Sequence, residues 1–110
     1  MTFDEYQTHA LKTVLSTDDD LQDLMHWVLG INGEAGEIAE KLKKIIRDKQ
    51  GELSPEDVTE LGKEIGDVLW YLAVFANHLG LSFDDLAAAN IQKLADRQKR
   101  NVLNGSGDNR

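Results

Sequence analysis

Residues 61–79 read LGKEIGDVLWYLAVFANHL, and their spacing decides the fold class. On a helical wheel of about 100° per residue, Leu61, Ile65, Val68, Leu72, Phe75 and Leu79 fall within about 40° of one direction. That is the stripe of an amphipathic helix, not the alternation of a strand. Its start is marked by Ser54-Pro55-Glu-Asp57, a capping residue, a proline at the first helical position and an acid three after the cap. Its end is marked by Gly80, the residue that best accepts left-handed backbone past a helix terminus.

Working outward, a second stripe precedes it. Leu21, Leu24, Val28, Ile31, Ala35, Ile38, Leu42 and Ile45 recur at three- and four-residue intervals, predicting a helix from about Asp19 to Arg47. Gly30, Gly33 and Gly36 interrupt its middle, each costing up to about 1 kcal/mol relative to alanine, so a kink or break is expected there. A loop over Asp48–Ser54 joins the two. Tyr6, Ala10 and Val14 predict a first helix from about Phe3 to Leu15, and Ser16-Thr17-Asp18 offers the cap for the next. Ser82 with Asp85 caps a fourth helix reaching about Val102. The expected fold is all-α, a four-helix bundle built on a helical hairpin. Residues 1–103 form one domain and 104–110, with nothing to bury, a disordered tail.

Composition removes several classes of function. Twenty acids against twelve Lys and Arg leave a net charge of -8, which repels DNA, RNA and anionic membrane surfaces. Cysteine is absent, which excludes disulfides, thiolate metal sites and cysteine nucleophiles. No basic, apolar leader opens the chain and no stretch is apolar enough to span a membrane, so a soluble cytoplasmic protein is expected.

The acids are placed, not scattered. With Ile31 as zero on the second helix, Glu34 falls at about -60° and Glu37 at about -120°; with Leu61 as zero on the third, Glu64 and Asp67 fall at the same angles. Each helix therefore carries an acid pair at i, i+3 on the same flank of its stripe, and a hairpin can bring four carboxylates together. Such a cluster repels itself unless protons or a cation compensate, and hard oxygen donors suit Mg²⁺ or Mn²⁺. Solvated boundary residues are the competing reading of the same acids. Gly33, Gly36, Gly62 and Gly66 sit beside the pairs, either for close helix packing or to leave room for a ligand. On the fourth helix Asn90, Lys93, Arg97 and Arg100 form one edge, a ladder of an amide and three cations suited to phosphate oxygens, although taken alone such a ladder is usually a solvated face.

Glu34-Ala-Gly-Glu37, then Glu64-Ile-Gly-Asp67-Val-Leu-Trp-Tyr-Leu, then Asn90-x-x-Lys93-x-x-x-Arg97, resembles the all-α nucleoside triphosphate pyrophosphohydrolases of the MazG-like superfamily. Tyr6-Gln7 is also similar to small members, and the resemblance covers roughly residues 3 to 100. It implies hydrolysis of an NTP or dNTP to the monophosphate and pyrophosphate, in nucleotide-pool house-cleaning. It further implies Mg²⁺, or Mn²⁺, on Glu34, Glu37, Glu64 and Asp67, with Glu37 favoured as the group that orients or deprotonates water. Lys93 and Arg97 would hold phosphate oxygens and Asn90 the sugar or a phosphate, with Lys41 and Lys44 as further candidates. A phosphoribosyl-ATP pyrophosphatase-like enzyme is an alternative, as is a non-catalytic acidic helical interaction module.

The remaining residues bear on assembly. Trp70 lies about 180° from the third helix's stripe, near Ala73 and Val74. This second apolar face predicts a homo-oligomer, a dimer or tetramer, packed through it, unless the first helix folds back to cover it. Trp27 either stacks on a base or belongs to the core. His9, His26 and His78 lack the spacing of di-iron bundles and read as packing or surface residues.

Overall fold

In the computed structural model, which describes all 110 residues, helices begin where short side-chain oxygens take up free backbone N–H groups. Helix α1 (Phe3–Ala10) starts behind Thr2, whose hydroxyl accepts from Glu5 N while the Glu5 carboxylate accepts from Thr2 N. One 3₁₀ turn, Leu11–Thr13, completes it, so the helix is shorter than its apolar spacing predicts. Helix α2 (Asp20–Lys49) starts behind Asp19, which accepts from Gln22 N at 3.0 Å. The cap lies one residue past the expected cluster because Thr17 is engaged elsewhere: its N–H and hydroxyl both donate to the buried Asp23 carboxylate. Helix α3 (Pro55–His78) has the capping box of Ser54 and Asp57 expected from the sequence. Helix α4 (Phe83–Lys99) starts behind Ser82, which accepts from Asp85 N. The chain is all-helical, with no strand, and no helix is long and apolar enough to cross a membrane.

α2 runs unbroken for 30 residues through all three glycines, against the expected kink. Gly33 and Gly36 face open space, so they neither break the helix nor bring another backbone close. Gly30 differs: a Cβ there would fall on the Tyr71 ring, and α3 packs against bare backbone at this level. Tertiary packing along the whole length of α3 overrides the glycine propensity.

The two long helices are antiparallel. At one end His78 Nε2 meets Asp20 Oδ1 at 3.1 Å and Trp27 Nε1–H donates to His78 Nδ1 at 3.2 Å. At the other, Lys49 Nζ donates to Asp57 at 2.8 Å. Between them the contact does not follow the centres of the apolar stripes. α2 buries Asp23, Trp27 and Ile45, while Ala35 and Leu42 are exposed. On α3 Val68 and Phe75 are only half-buried, and Ile65, Leu72 and the C-cap residue Leu79 are exposed. Both helices are thus turned by about 60° toward their acidic flanks relative to a stripe-on-stripe hairpin. Trp27 is 2% exposed and belongs to the core, with His26 stacked on it.

The face of α3 opposite its stripe is covered within the chain, and the expectation of an oligomer packed through Trp70 is corrected accordingly. Trp70 Nε1–H donates to Thr13 Oγ1 at 2.8 Å, its ring meets Trp27 and Tyr71 edge-on, and the neighbouring Ala73 and Val74 are buried. α1 is fastened by Gln7, a buried side chain whose amide N–H donates to Ala73 O and Leu81 O and whose oxygen accepts from Phe83 N. Asp4 accepts from Asp84 N and from the Ser82 hydroxyl, while Asp4 N donates to Asp84, so α1 and α4 cap each other. Those donors hold the Asp4 carboxyl below its ordinary range. Past α4 the chain forms turns, with the Arg110 guanidinium donating to Val102 O, Leu103 O and Gly107 O.

Two predictions follow from this framework. Gln7→Leu strands two carbonyls and one amide in a buried seam, and should cost about 2–4 kcal/mol in urea unfolding; a loss below about 0.5 kcal/mol would mean that the seam is hydrated. The Lys49 ammonium and the Ser54 N–H depress Asp57 from 3.8 to about 2. A depressed acid stabilises the fold above its unfolded pKa, and that contribution disappears as pH falls through about 2. Thermal melts of Asp57→Asn should therefore show a shallower fall in stability than wild type across that acid window. Parallel pH profiles would refute the assignment.

Candidate metal centre

The rotation of α2 and α3 brings their acidic flanks face to face. One carboxylate oxygen from each of Glu34, Glu64 and Asp67 lies within 4.8 Å of the other two. Glu34 and Glu64 are half-buried and Asp67 is exposed, so the cluster opens to solvent on one side. Burial raises the Glu34 carboxyl above its ordinary value, and Asp67, Glu64 and Glu37 push it further the same way. Burial and like charge act in the same direction on this carboxyl, both disfavouring its ionised form.

Each helix contributes for a local reason. Residues three apart on a helix point to neighbouring positions one turn apart, and the antiparallel α2–α3 register sets Glu34 opposite the Glu64–Asp67 turn. Lys41 Nζ stands 3.4 Å from Glu64 and 3.8 Å from Glu60, a cation at the rim of the cluster. Lys44 turns away to Glu40. From α1, Tyr6 is half-buried beside the site, and burial together with the Asp67 charge holds its phenol above the usual range. In the sequence Tyr6 reads as an apolar position of the first helix and as half of a dipeptide; its place at the acids depends on the fold-back of α1, which no local pattern encodes.

Of the four acids expected to converge, three do. Glu37 sits one turn beyond Glu34, exposed, and outside the 4.8 Å group. Gly33, Gly36, Gly62 and Gly66 have no neighbour where a Cβ would stand, so they leave space around the acids and close packing does not explain them. The α4 ladder is not brought to the acids within one chain. α4 packs on α1 and α3, and no hydrogen bond or ion pair joins Asn90, Lys93 or Arg97 to Glu34, Glu64 or Asp67. Asn90 is exposed, Lys93 half-buried and Arg97 buried, and both cations bind Asp108.

The donor set fits a hard divalent cation. It is all carboxylate oxygen, it spans one ion's reach, and its mutual repulsion is relieved by positive charge. Nothing in it favours a soft or thiolate-preferring metal.

Known proteins place the chain. Residues 21–102 match the family described as MazG nucleotide pyrophosphohydrolase domain, a span that contains both acid pairs and the α4 cations. The Gene 37 protein of Mycobacterium phage L5 is 42% identical over 114 residues, covering 100% of both chains. No solved structure matches. With the matched span covering most of the chain, the protein belongs to the MazG nucleotide pyrophosphohydrolase family.

Proposed function

We propose that this chain hydrolyses nucleoside triphosphates, ribo- or deoxyribo-, to the monophosphate and pyrophosphate, with Mg²⁺ or Mn²⁺ held by Glu34, Glu64 and Asp67. The observation that carries this reading is the meeting of the three carboxylates across the hairpin, with Glu34 held above its ordinary pKa by burial and by its neighbours. A divalent cation there supplies charge neutralisation for a phosphate chain under attack. In this reading Glu37, exposed one turn along from Glu34, accepts a proton from the attacking water at its carboxylate. Lys41 at the rim balances the acids, and the Tyr6 hydroxyl offers a neutral donor on the α1 side. The glycines around the cluster leave an approach for a substrate.

Asn90, Lys93 and Arg97 would hold sugar and phosphate oxygens. The absence of a contact between them and the acids within one chain is explained if a second subunit completes the pocket, and the surface supports an oligomer. The chain exposes 8010 Å², against about 6,100 Å² for a compact monomer of this mass. Its radius of gyration is 17.0 Å where a compact chain of this length has about 13 Å. The excess, about 1,900 Å², lies in the range that subunits of obligate dimers bury. Exposed apolar residues supply the face: Val58, Ile65 and Leu72 on α3 with Leu79 at its C-cap, and Leu21, Val28 and Leu42 on α2. Both rows repeat at sevens or multiples of seven, the spacing of a helix-bundle seam. Because the helices are antiparallel and turned in the same sense, the rows emerge on one side of the hairpin.

A panel of NTPs and dNTPs, phosphoribosyl-ATP included, assayed with Mg²⁺ for monophosphate and pyrophosphate, tests the activity. No turnover on any member, with no Mg²⁺ effect on the melting temperature, would overturn the reading in favour of a non-catalytic module. Asp67→Asn should lower turnover at least a hundredfold. Glu34→Gln should do the same and raise the metal-free melting temperature at pH 7. An acid with a raised pKa stabilises the fold fully below its unfolded value and withdraws that stability as pH rises through the folded one. The amide lacks that penalty, so an unchanged or lower melting temperature would contradict the proposed crowding.

For assembly, light scattering of the wild type should give a dimer or tetramer at micromolar concentration. Leu72→Glu with Leu42→Glu should give monomer. A monomeric wild type would rule out the shared pocket.

A further inference from the structure

Lys93 and Arg97 meet on a single carboxylate from the chain's own C-terminal segment. Lys93 Nζ donates to Asp108 Oδ1 at 2.8 Å, and Arg97 Nη2 donates to the same oxygen at 3.1 Å and to Asp108 O at 2.6 Å. Arg97 is only 5% exposed, and its Nε–H, on the same edge of the guanidinium as Nη2, is buried with no partner. A guanidinium edge binds a bidentate acceptor through both nitrogens. Asp108 reaches one of them, so the seat is wider than its occupant. A phosphoryl group presents three oxygens and can engage Nε, Nη2 and the lysine together.

The occupant is held as a displaceable strap. Asp108 is 77% exposed on its outer side. Its loop is drawn shut by the Arg110 guanidinium, which donates to Val102 O, Leu103 O and Gly107 O. Gly107, at φ +84°, allows the reversal that delivers the carboxylate. Lys93 and Arg97 in turn keep the Asp108 carboxyl below its ordinary range, so it stays an anion at neutral pH.

We propose that residues 104–110 are an autoinhibitory strap, with Asp108 standing where a phosphate group of the substrate binds and giving way to it. This rests on the proposed role of Lys93 and Arg97 in holding substrate phosphates. The strap sets the apparent affinity for the phosphate chain, because only molecules with Asp108 lifted are competent to bind. Asp108 keeps its outer side in solvent, which screens both ion pairs, so the penalty should be about three- to tenfold.

Calorimetric titration of the full chain with inorganic pyrophosphate, metal-free and at fixed ionic strength, reads the seat without requiring turnover. Asp108→Asn and Arg110→Gln should each tighten pyrophosphate about three- to tenfold, and adding Arg97→Lys to Asp108→Asn should remove the gain. Circular dichroism melts check that the variants fold, and Arg110→Gln, which loosens the loop without altering the cations, guards against an effect of charge alone. Equal or weaker pyrophosphate binding by Asp108→Asn overturns the strap, as does no binding by wild type and variant alike. Nucleotide turnover by wild type with no affinity gain in the variants sinks the strap and keeps the hydrolase. An affinity gain with no turnover on any nucleotide does the reverse.

Discussion

The antiparallel contact of α2 and α3 along their acidic flanks is the constraint from which the other features descend. A stripe-on-stripe hairpin would have buried Ile65, Leu72 and Leu42 and left Glu34, Glu64 and Asp67 dispersed at its margin. Turning both helices by about 60° reverses that arrangement. The acids face one another, with one oxygen of each inside a 4.8 Å group, and the apolar rows face out together. One geometric choice thereby leaves two demands unmet within a single chain, positive charge between the helices and apolar cover on one side of them. In the proposed function a divalent cation meets the first and a second subunit the second.

That rotation needs fixing, because hydrophobic burial alone would favour undoing it. The fixing elements are directional. Trp27 is locked by its N–H to His78, and Gly30 admits the Tyr71 ring where any side chain would block it. Thr13 takes the Trp70 N–H, so the reverse face of α3 is committed to the first segment of the chain. Gln7 then ties α1 to α3 and to the start of α4 by three hydrogen bonds, and Asp4 ties the two helix starts. Hydrogen bonds of this kind add little net energy each, but they are expensive to leave unmade, and so they specify one rotation among several of similar apolar burial.

Helix positions were legible because each one is written in local residues. Ser54, Pro55 and Asp57 form the expected cap, and Gly80 ends α3 at φ +75°. The acid pairs were legible for the same reason, since i and i+3 lie on one face whatever the tertiary context. The rotation was not. A wheel gives angles within a helix, and the partner's direction depends on Gly30, Tyr71 and the aromatic cluster acting across the hairpin. The same limit explains Trp70, whose apolar surroundings are local in sequence but whose cover is the first segment of the chain. It also explains Glu37, which shares a flank with Glu34 yet stays exposed and outside the group of three acids.

Charge makes a further connection between the hairpin and the tail. The chain carries eight net negative charges, and its cations near functional groups are few: Lys41 beside Glu64, and Lys93 with Arg97 on α4. A triphosphate is itself a polyanion, so an acidic protein can take one only where local charge opposes the net field. The acidic cluster becomes such a place when it holds a divalent ion. The α4 pair is such a place already, and in the present structure it is quenched by Asp108. On the proposed reading, each place is silent until something exchanges: at the acids a cation replaces mutual repulsion, and at the seat a phosphate replaces a carboxylate. A free anion lacking a chelated metal would satisfy only the second exchange. Recognition of the metal-bound nucleotide over other phosphates then follows from requiring both.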